Sequence, residues 1–157
     1  MIKIGITGGI GSGKSVVAEL LRLCGVPVYI ADEESKRLTA ASPVIRRQLT
    51  ALLGTDIYPD GQLDKRRLAA RIFHDPACLQ QVNAIIHPEV NRHFQDWAAR
   101  QQTPFCAIES AILFESGFDR TVDVSLMVYA PPALRISRAM ERDGATRTEV
   151  LGRIENQ

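Results

Sequence analysis

The sequence is poor in several things whose absence is informative. It holds three cysteines in 157 residues, Cys24, Cys78 and Cys106, and no pair has the spacing of a metal or redox motif. Nothing therefore suggests a disulfide framework, and buried thiols in a reducing cytoplasm are the expectation. His74, His87 and His93 form no metal cluster by spacing. No apolar run approaches the roughly 18 residues that a membrane span requires, which excludes a transmembrane helix. Residues 1–7 carry one lysine and a short apolar run, without the longer stretch and small-residue cleavage site of a signal peptide. Charge of one sign is lacking too. Nineteen basic side chains face eighteen acidic ones, a net +1, so no global field recruits nucleic acid and no such partner is expected. Internal repeats and low-complexity linkers are absent.

What is there is an ordinary globular composition, 45% hydrophobic and 24% charged, enough apolar surface to offset the entropy of folding. The length is that of one domain, or of one domain with a small insertion. Fifteen of the nineteen basic residues are arginine, a bias that suits carboxylate or phosphate recognition and that a GC-rich genome also produces.

Ile2 to Ile6 reads as a short buried strand, followed by a glycine-rich stretch and a helix from about Lys14 to Cys24 that Gly25 stops. Val26 to Ile30 is a second apolar run. Strand, glycine loop, helix and strand in that order open an α/β domain with a parallel sheet. The middle, about residues 38–102, reads as a helical insertion of four helices. Ser42-Pro43 opens the first and Gly54 closes it; Asp64 caps the second; Asp75-Pro76 starts the third; His87-Pro88 breaks that one and starts the fourth. Strands resume at Phe105–Glu109 and Val122–Tyr129. Pro131-Pro132 begins a helix to about Arg142, and Thr146 to Glu149 matches a capping box for the last one. The expected layout is a core of residues 1–37 and 103–134, the insertion 38–102, and a lid region 135–150.

Gly8-x-x-x-x-Gly13-Lys14-Ser15 matches the phosphate-loop pattern. Glycines let backbone N–H groups turn inward on phosphate oxygens, and the following helix points its positive end at the anion. Gly9, Ile10, Gly11, Ser12, Gly13, Lys14, Ser15 and Val16 are the candidate ATP phosphate-binding residues. Lys14 would reach the β- and γ-phosphates, and Ser15 would ligate Mg²⁺. The D-x-x-G and N-K-x-D segments of a GTPase occur nowhere in the chain, nor does a transport ATPase signature. A small phosphotransferase remains. Arg135, Arg138 and Arg142 are spaced so that one helix face presents all three to transferring phosphate, although the interleaved Glu141 and Asp143 equally suit a solvated face. Asp32 sits just past the second strand, as a base for a substrate hydroxyl or as a helix N-cap. Glu109 ends a strand, as an acid ordering Mg²⁺-bound water or as a strand-end charge. His87 before Pro88 reads first as a structural turn residue.

Taken together, these residues carry a resemblance. The stretch from Thr7 to Ser15 looks like the opening of bacterial dephospho-CoA kinases. Ala31-Asp32, Leu63-Asp64, Ile72-Phe73 with Asp75-Pro76, and Ile86-His87-Pro88 continue the likeness. So do Leu113-Phe114-Glu115, Ala130-Pro131-Pro132, and Arg138 with Arg142-Asp143-Gly144. The phosphate loop is shared by many proteins; the ordered set, running over essentially the whole chain, is specific. The resemblance implies a three-layer P-loop fold with a helical CoA-binding insertion. It implies transfer of the ATP γ-phosphate to the ribose 3′-hydroxyl of dephospho-CoA, in the cytoplasm, with Mg²⁺. By position it makes Asp32 the base, Lys14, Arg138 and Arg142 catalytic, and Asp32, Lys36, His87 and Leu113 substrate-binding.

The sequence departs from the pattern in places. Ile30 stands where many members have an aspartate, Lys36 where many have arginine, and Ala111 where a proline is usual. Lysine keeps the charge at residue 36 and loses the bidentate fork. The chain ends at Ile154-Glu155-Asn156-Gln157, inside the expected last helix. The family's further strand, with its adenine-contacting loop, and its terminal helix are expected to be missing, which reads as a truncated chain. The rival readings are a P-loop kinase for another alcohol and a nucleotide-binding module without activity.

Overall fold

The computed structural model describes residues 1–155. Asn156 and Gln157, which belong to the chain end read above, lie outside the described residues. The elements in chain order are β1 (Ile2–Thr7), α1 (Lys14–Leu23), β2 (Val28–Ile30), α2 (Ala31–Ala41), α3 (Pro43–Leu53), α4 (Lys65–Phe73), α5 (Pro76–Ala99), β3 (Phe105–Glu109), β4 (Val124–Met127), α6 (Pro132–Asp143) and α7 (Arg147–Glu155), with short 3₁₀ turns between some of them. The chain divides into two compact units, one of residues 1–30 with the chain from Ala98 onward, the other Ala31–Trp97.

In the first unit, β1 to β4 form a parallel sheet in the order β2-β3-β1-β4. The chain passes from β1 over β3 to reach β2, and later from β3 over β1 to reach β4. The order therefore reverses between β1 and β3, and the crevice at the carboxyl ends of those two strands is where such sheets hold ligands. The phosphate loop leaves β1 there, and Glu109 ends β3 there, in register with Ile6 on one side and Ile30 on the other. The carboxyl half of β1 is buried, while Ile2 at its start is exposed: Ile6, Ala18, Val28 and Ala107 pack together with Ile4, Val17, Leu21 and Val128 around them. Burial of a side chain such as Ile6 contributes about 1.5–3 kcal/mol. Gly25 ends α1 at φ 81, and a Cβ there would meet nothing within 4 Å, so conformation rather than space requires glycine.

The second unit is helical. Ser42 caps α3, its Oγ accepting the Ile45 N–H at 3.4 Å, with Pro43 in the first turn and Gly54 at the end. Asp64 caps α4, accepting the N–H groups of Arg66 and Arg67 at 3.0 and 3.1 Å. The expected break at His87-Pro88 does not occur. One 24-residue helix, α5, runs through it with Pro88 inside. Proline removes only one helical hydrogen bond, the one to the Ala84 carbonyl, at a cost of about 3 kcal/mol. Val82, Ile86, Val90 and Phe94 are all buried and keep helical spacing across the site, and their burial outweighs the loss. α2 already begins at Ala31, so Asp32 lies within its first turn. The free thiols are also not uniformly interior: Cys106 is buried, Cys78 intermediate and Cys24 exposed at the end of α1. Burial pushes the Cys106 thiol up.

Candidate active site

The phosphate loop takes its shape from glycine. Gly11 at φ 74 and Gly13 at φ 100 are left-handed, and Gly13 is the residue that starts α1. Two amides of the loop are committed internally, Ser12 N–H to the Gly9 carbonyl at 3.0 Å and Val16 N–H to the Gly13 carbonyl at 3.0 Å. Among the described residues, no backbone carbonyl accepts from the N–H groups of Gly11, Gly13, Lys14 or Ser15. These are the orphan donors of a helix start, with the positive end of α1 behind them. The Ser12 hydroxyl is buried and has no partner, and Gly8 leaves it room: a Cβ at Gly8 would come within 2.6 Å of it. A buried hydroxyl left unpaired costs about 1–3 kcal/mol, which an incoming anion oxygen relieves.

Lys14 Nζ lies 3.5 Å from Glu109 Oε1, both side chains largely withdrawn from solvent. The pair joins the loop to the end of β3. Helix α6 closes the other side. Arg135 donates from Nε to the Ile10 carbonyl at 2.9 Å, and Arg138 reaches the Ser12 carbonyl from Nη1 at 3.5 Å. The Ile10 side chain packs on Ile136, Ala139 and Val150, which tie α6 and α7 together.

The three lid arginines do not act as one row. Arg135 and Arg138 meet the loop. Arg142, at the last turn of α6, instead donates from Nε and Nη2 to Asp143 at 2.7 and 3.0 Å, and Arg153 joins Asp143 at 2.9 Å. The Arg142 bond is the main reason that the Asp143 carboxyl is held below its usual range. The adjacent carboxylate, visible in the sequence, captures Arg142, and the helix ends one residue later with Gly144 left-handed.

Leu113 also departs from expectation. Its side chain is 0% exposed and fills the space above Gly5, where a Cβ would come within 2.8 Å of it. It is a core residue with no surface for a substrate. The sequence signal was its place in a shared motif, which cannot separate packing from contact.

The second unit carries the other expected residues. Asp32 and Lys36, one turn apart on α2 and both exposed, pair at 2.9 Å. The hydrogen bond that Lys36 donates to the Asp32 carboxylate is the main cause that raises the Lys36 ammonium. His87 is half-buried on α5, and burial lowers its pKa, so it is neutral near pH 7. No sequence pattern announces a polar cluster between α2 and α5: Arg37 donates to Glu34 at 2.8 Å and meets His93 Nε2 at 3.0 Å. His93 on α5 is 56 residues from Arg37 on α2, and only folding juxtaposes them.

A mostly parallel sheet with a glycine loop opening a helix, a lysine at its start and arginines above it defines a P-loop phosphotransferase. The chain belongs to the dephospho-CoA kinase family, whose sequence profile matches residues 2–157. It is 51% identical over 157 residues to a dephospho-CoA kinase of Bacteroides fragilis, covering 99% of this chain and 77% of the relative. It is 50% identical over 157 residues to one of Porphyromonas gingivalis, covering 100% and 78%. A crystal structure from Thermus thermophilus superposes with a TM-score of 0.84 at 40% identity, covering 99% of this chain and 80% of that one. A dephospho-CoA kinase of Campylobacter jejuni shares the fold at a TM-score of 0.60 and 14% identity. The chain is thus an ATP-dependent kinase, a transferase of coenzyme A synthesis. Among the described residues no helix is long and apolar enough to cross a membrane.

Proposed function

We propose that this chain moves the γ-phosphoryl group of ATP to the ribose 3′-hydroxyl of dephospho-CoA, in the cytoplasm. The observation that carries this reading is the loop itself: the uncommitted amides of Gly11, Gly13, Lys14 and Ser15, the unpartnered Ser12 hydroxyl, and Lys14 beside it. They suit a polyphosphate, because phosphoryl transfer asks for positioning and positive charge rather than covalent help.

In this reading Lys14 holds the β- and γ-phosphates, and Arg138 faces the charge that develops on the transferring group. Asp32 accepts the proton of the acceptor hydroxyl, freeing its lone pair for in-line attack on phosphorus. Lys36 and His87 help to hold dephospho-CoA, and Arg142 joins the phosphates on release from Asp143. Among the described residues no group of three or more histidine, cysteine or acidic side chains suits a metal. That fits Mg²⁺, which binds through substrate phosphates and few protein oxygens. Ser15 Oγ, exposed at the start of α1, and the Glu109 carboxylate are the hard donors for it. When bound, Mg²⁺ neutralises charge on the β- and γ-oxygens.

The test is ATP consumption by this chain with dephospho-CoA, and with a nucleoside and shikimate as rival alcohols. The expected product from dephospho-CoA is heavier by one phosphoryl group and comigrates with coenzyme A. Turnover of a rival alcohol alone overturns the reading.

A further inference from the structure

Gly9 differs from the other glycines of the loop. Its φ lies outside the left-handed region, so conformation does not require glycine there. Space does: a Cβ at Gly9 would collide with the guanidinium of Arg135, meeting Nη2 first and then Cζ at 2.6 Å. A Cβ at Gly11 would collide with the backbone of Arg135. Arg135 therefore packs closely against the loop at Gly9 and Gly11, half-buried, while its Nε donates to the Ile10 carbonyl at 2.9 Å. That carbonyl belongs to the same peptide unit as the Gly11 N–H, one of the uncommitted amides.

We propose that Arg135 is a positioning residue of the phosphate loop, backing the Ile10–Gly11 peptide so that its N–H is held toward the phosphates. A cation hydrogen-bonded to a peptide carbonyl polarises the unit, and the N–H at its far end becomes a better donor. The same contact fixes the plane of that peptide, while Ile10 is held by the apolar cluster of α6 and α7. Gly9 is kept free of a side chain for the guanidinium. Arg138 stands two peptides further on, at the Ser12 carbonyl, at a longer 3.5 Å. Arg135 reaches the phosphate only through the loop, and is distinct in this from a residue that touches the transferring group.

The inference rests on the phosphate-loop reading, so the experiment includes a control for it. ADP binding is measured by calorimetry for the wild-type chain and for Lys14→Ala, Arg135→Ala, Arg135→Gln, Gly9→Ala and the Gly9→Ala/Arg135→Ala double variant. The Gly11 amide proton is followed by NMR. Arg135→Ala is expected to weaken ADP about 10-fold or more, the scale of one charged hydrogen bond, and to shift the Gly11 amide upfield without ligand. Arg135→Gln, which keeps a donor without the charge, is expected to restore part of the affinity. Gly9→Ala is expected to cost as much as Arg135→Ala, and the double variant no more than either, because both remove one contact. Additive losses, or an unmoved Gly11 amide with unchanged ADP affinity in Arg135→Ala, overturn the inference. If Lys14→Ala also leaves ADP binding unchanged, the phosphate-loop reading itself has failed. Should Arg135→Ala not fold, Gly9→Ala and Arg135→Gln carry the same comparison.

Discussion

Lys14 and Glu109 form an ion pair 3.5 Å long at the carboxyl edge of the sheet, across the boundary between β1 and β3 where the strand order reverses. The lysine comes from the start of α1 and the glutamate from the end of β3, so the pair sets the lysine's position before any phosphate arrives. Both groups are mostly out of water, where removal of one partner leaves the other charge uncompensated.

Glu109→Ala should therefore harm more than its own chemistry. Turnover is expected to fall about 10²-fold or more, with a higher Mg²⁺ requirement. Glu109→Gln should keep the fold and lose the charge, so a Mg²⁺ titration of its activity separates the two roles. Wild-type turnover in Glu109→Gln would remove the carboxylate from the mechanism.

Asp32 is exposed and paired with the equally exposed Lys36 ammonium, which leaves it accessible to a hydroxyl. Asp32→Ala is expected to cut kcat by at least about 10²-fold with little change in nucleotide affinity. Steady-state kinetics alongside ADP calorimetry checks this. A loss confined to ADP affinity would assign Asp32 elsewhere.

Glu89 is buried on α5 and takes hydrogen bonds from Arg92 at 2.8 and 3.1 Å and from the Ser42 hydroxyl at 3.2 Å. The Arg92 bond is the main cause that holds its carboxyl below the ordinary value. A depressed carboxyl stabilises the fold above its unfolded pKa, and that stability is lost as pH falls through the folded one. Denaturant unfolding should thus show a loss between the usual glutamate range and lower pH. In Glu89→Gln that part of the slope should vanish, and an unchanged slope would contradict the assignment.

Pro88 interrupts one hydrogen bond of α5 and its side chain is exposed. Pro88→Ala is expected to restore the bond to the Ala84 carbonyl and to raise stability by about 1–3 kcal/mol. Urea unfolding measures it. Lower stability would mean that the proline ring itself contributes to the stability of the native helix.

The parts that depend on local chemistry are legible in the residues alone. Gly11 and Gly13 dictate a loop with uncommitted amides, because their left-handed backbone favours glycine. Ser42, Asp64 and the Thr146–Glu149 pair cap their helices as read, through contacts within three residues. The apolar runs of β1 and β3 require burial, and a parallel sheet follows. Only the tertiary structure decided the rest. Pro88 carries a helix stop signal that a buried apolar stripe overrides, and no local pattern reports the strength of that stripe. Leu113 shares a motif with substrate-binding chains, yet the empty space above Gly5 draws it into the core. Three arginines spaced to share one helical face met different neighbours: two found backbone carbonyls of a loop about 125 residues earlier in the chain, and the third found the carboxylate beside it. Spacing fixes which face a side chain shares, but the partner on that face is set by how distant segments pack, and that information lies in the fold.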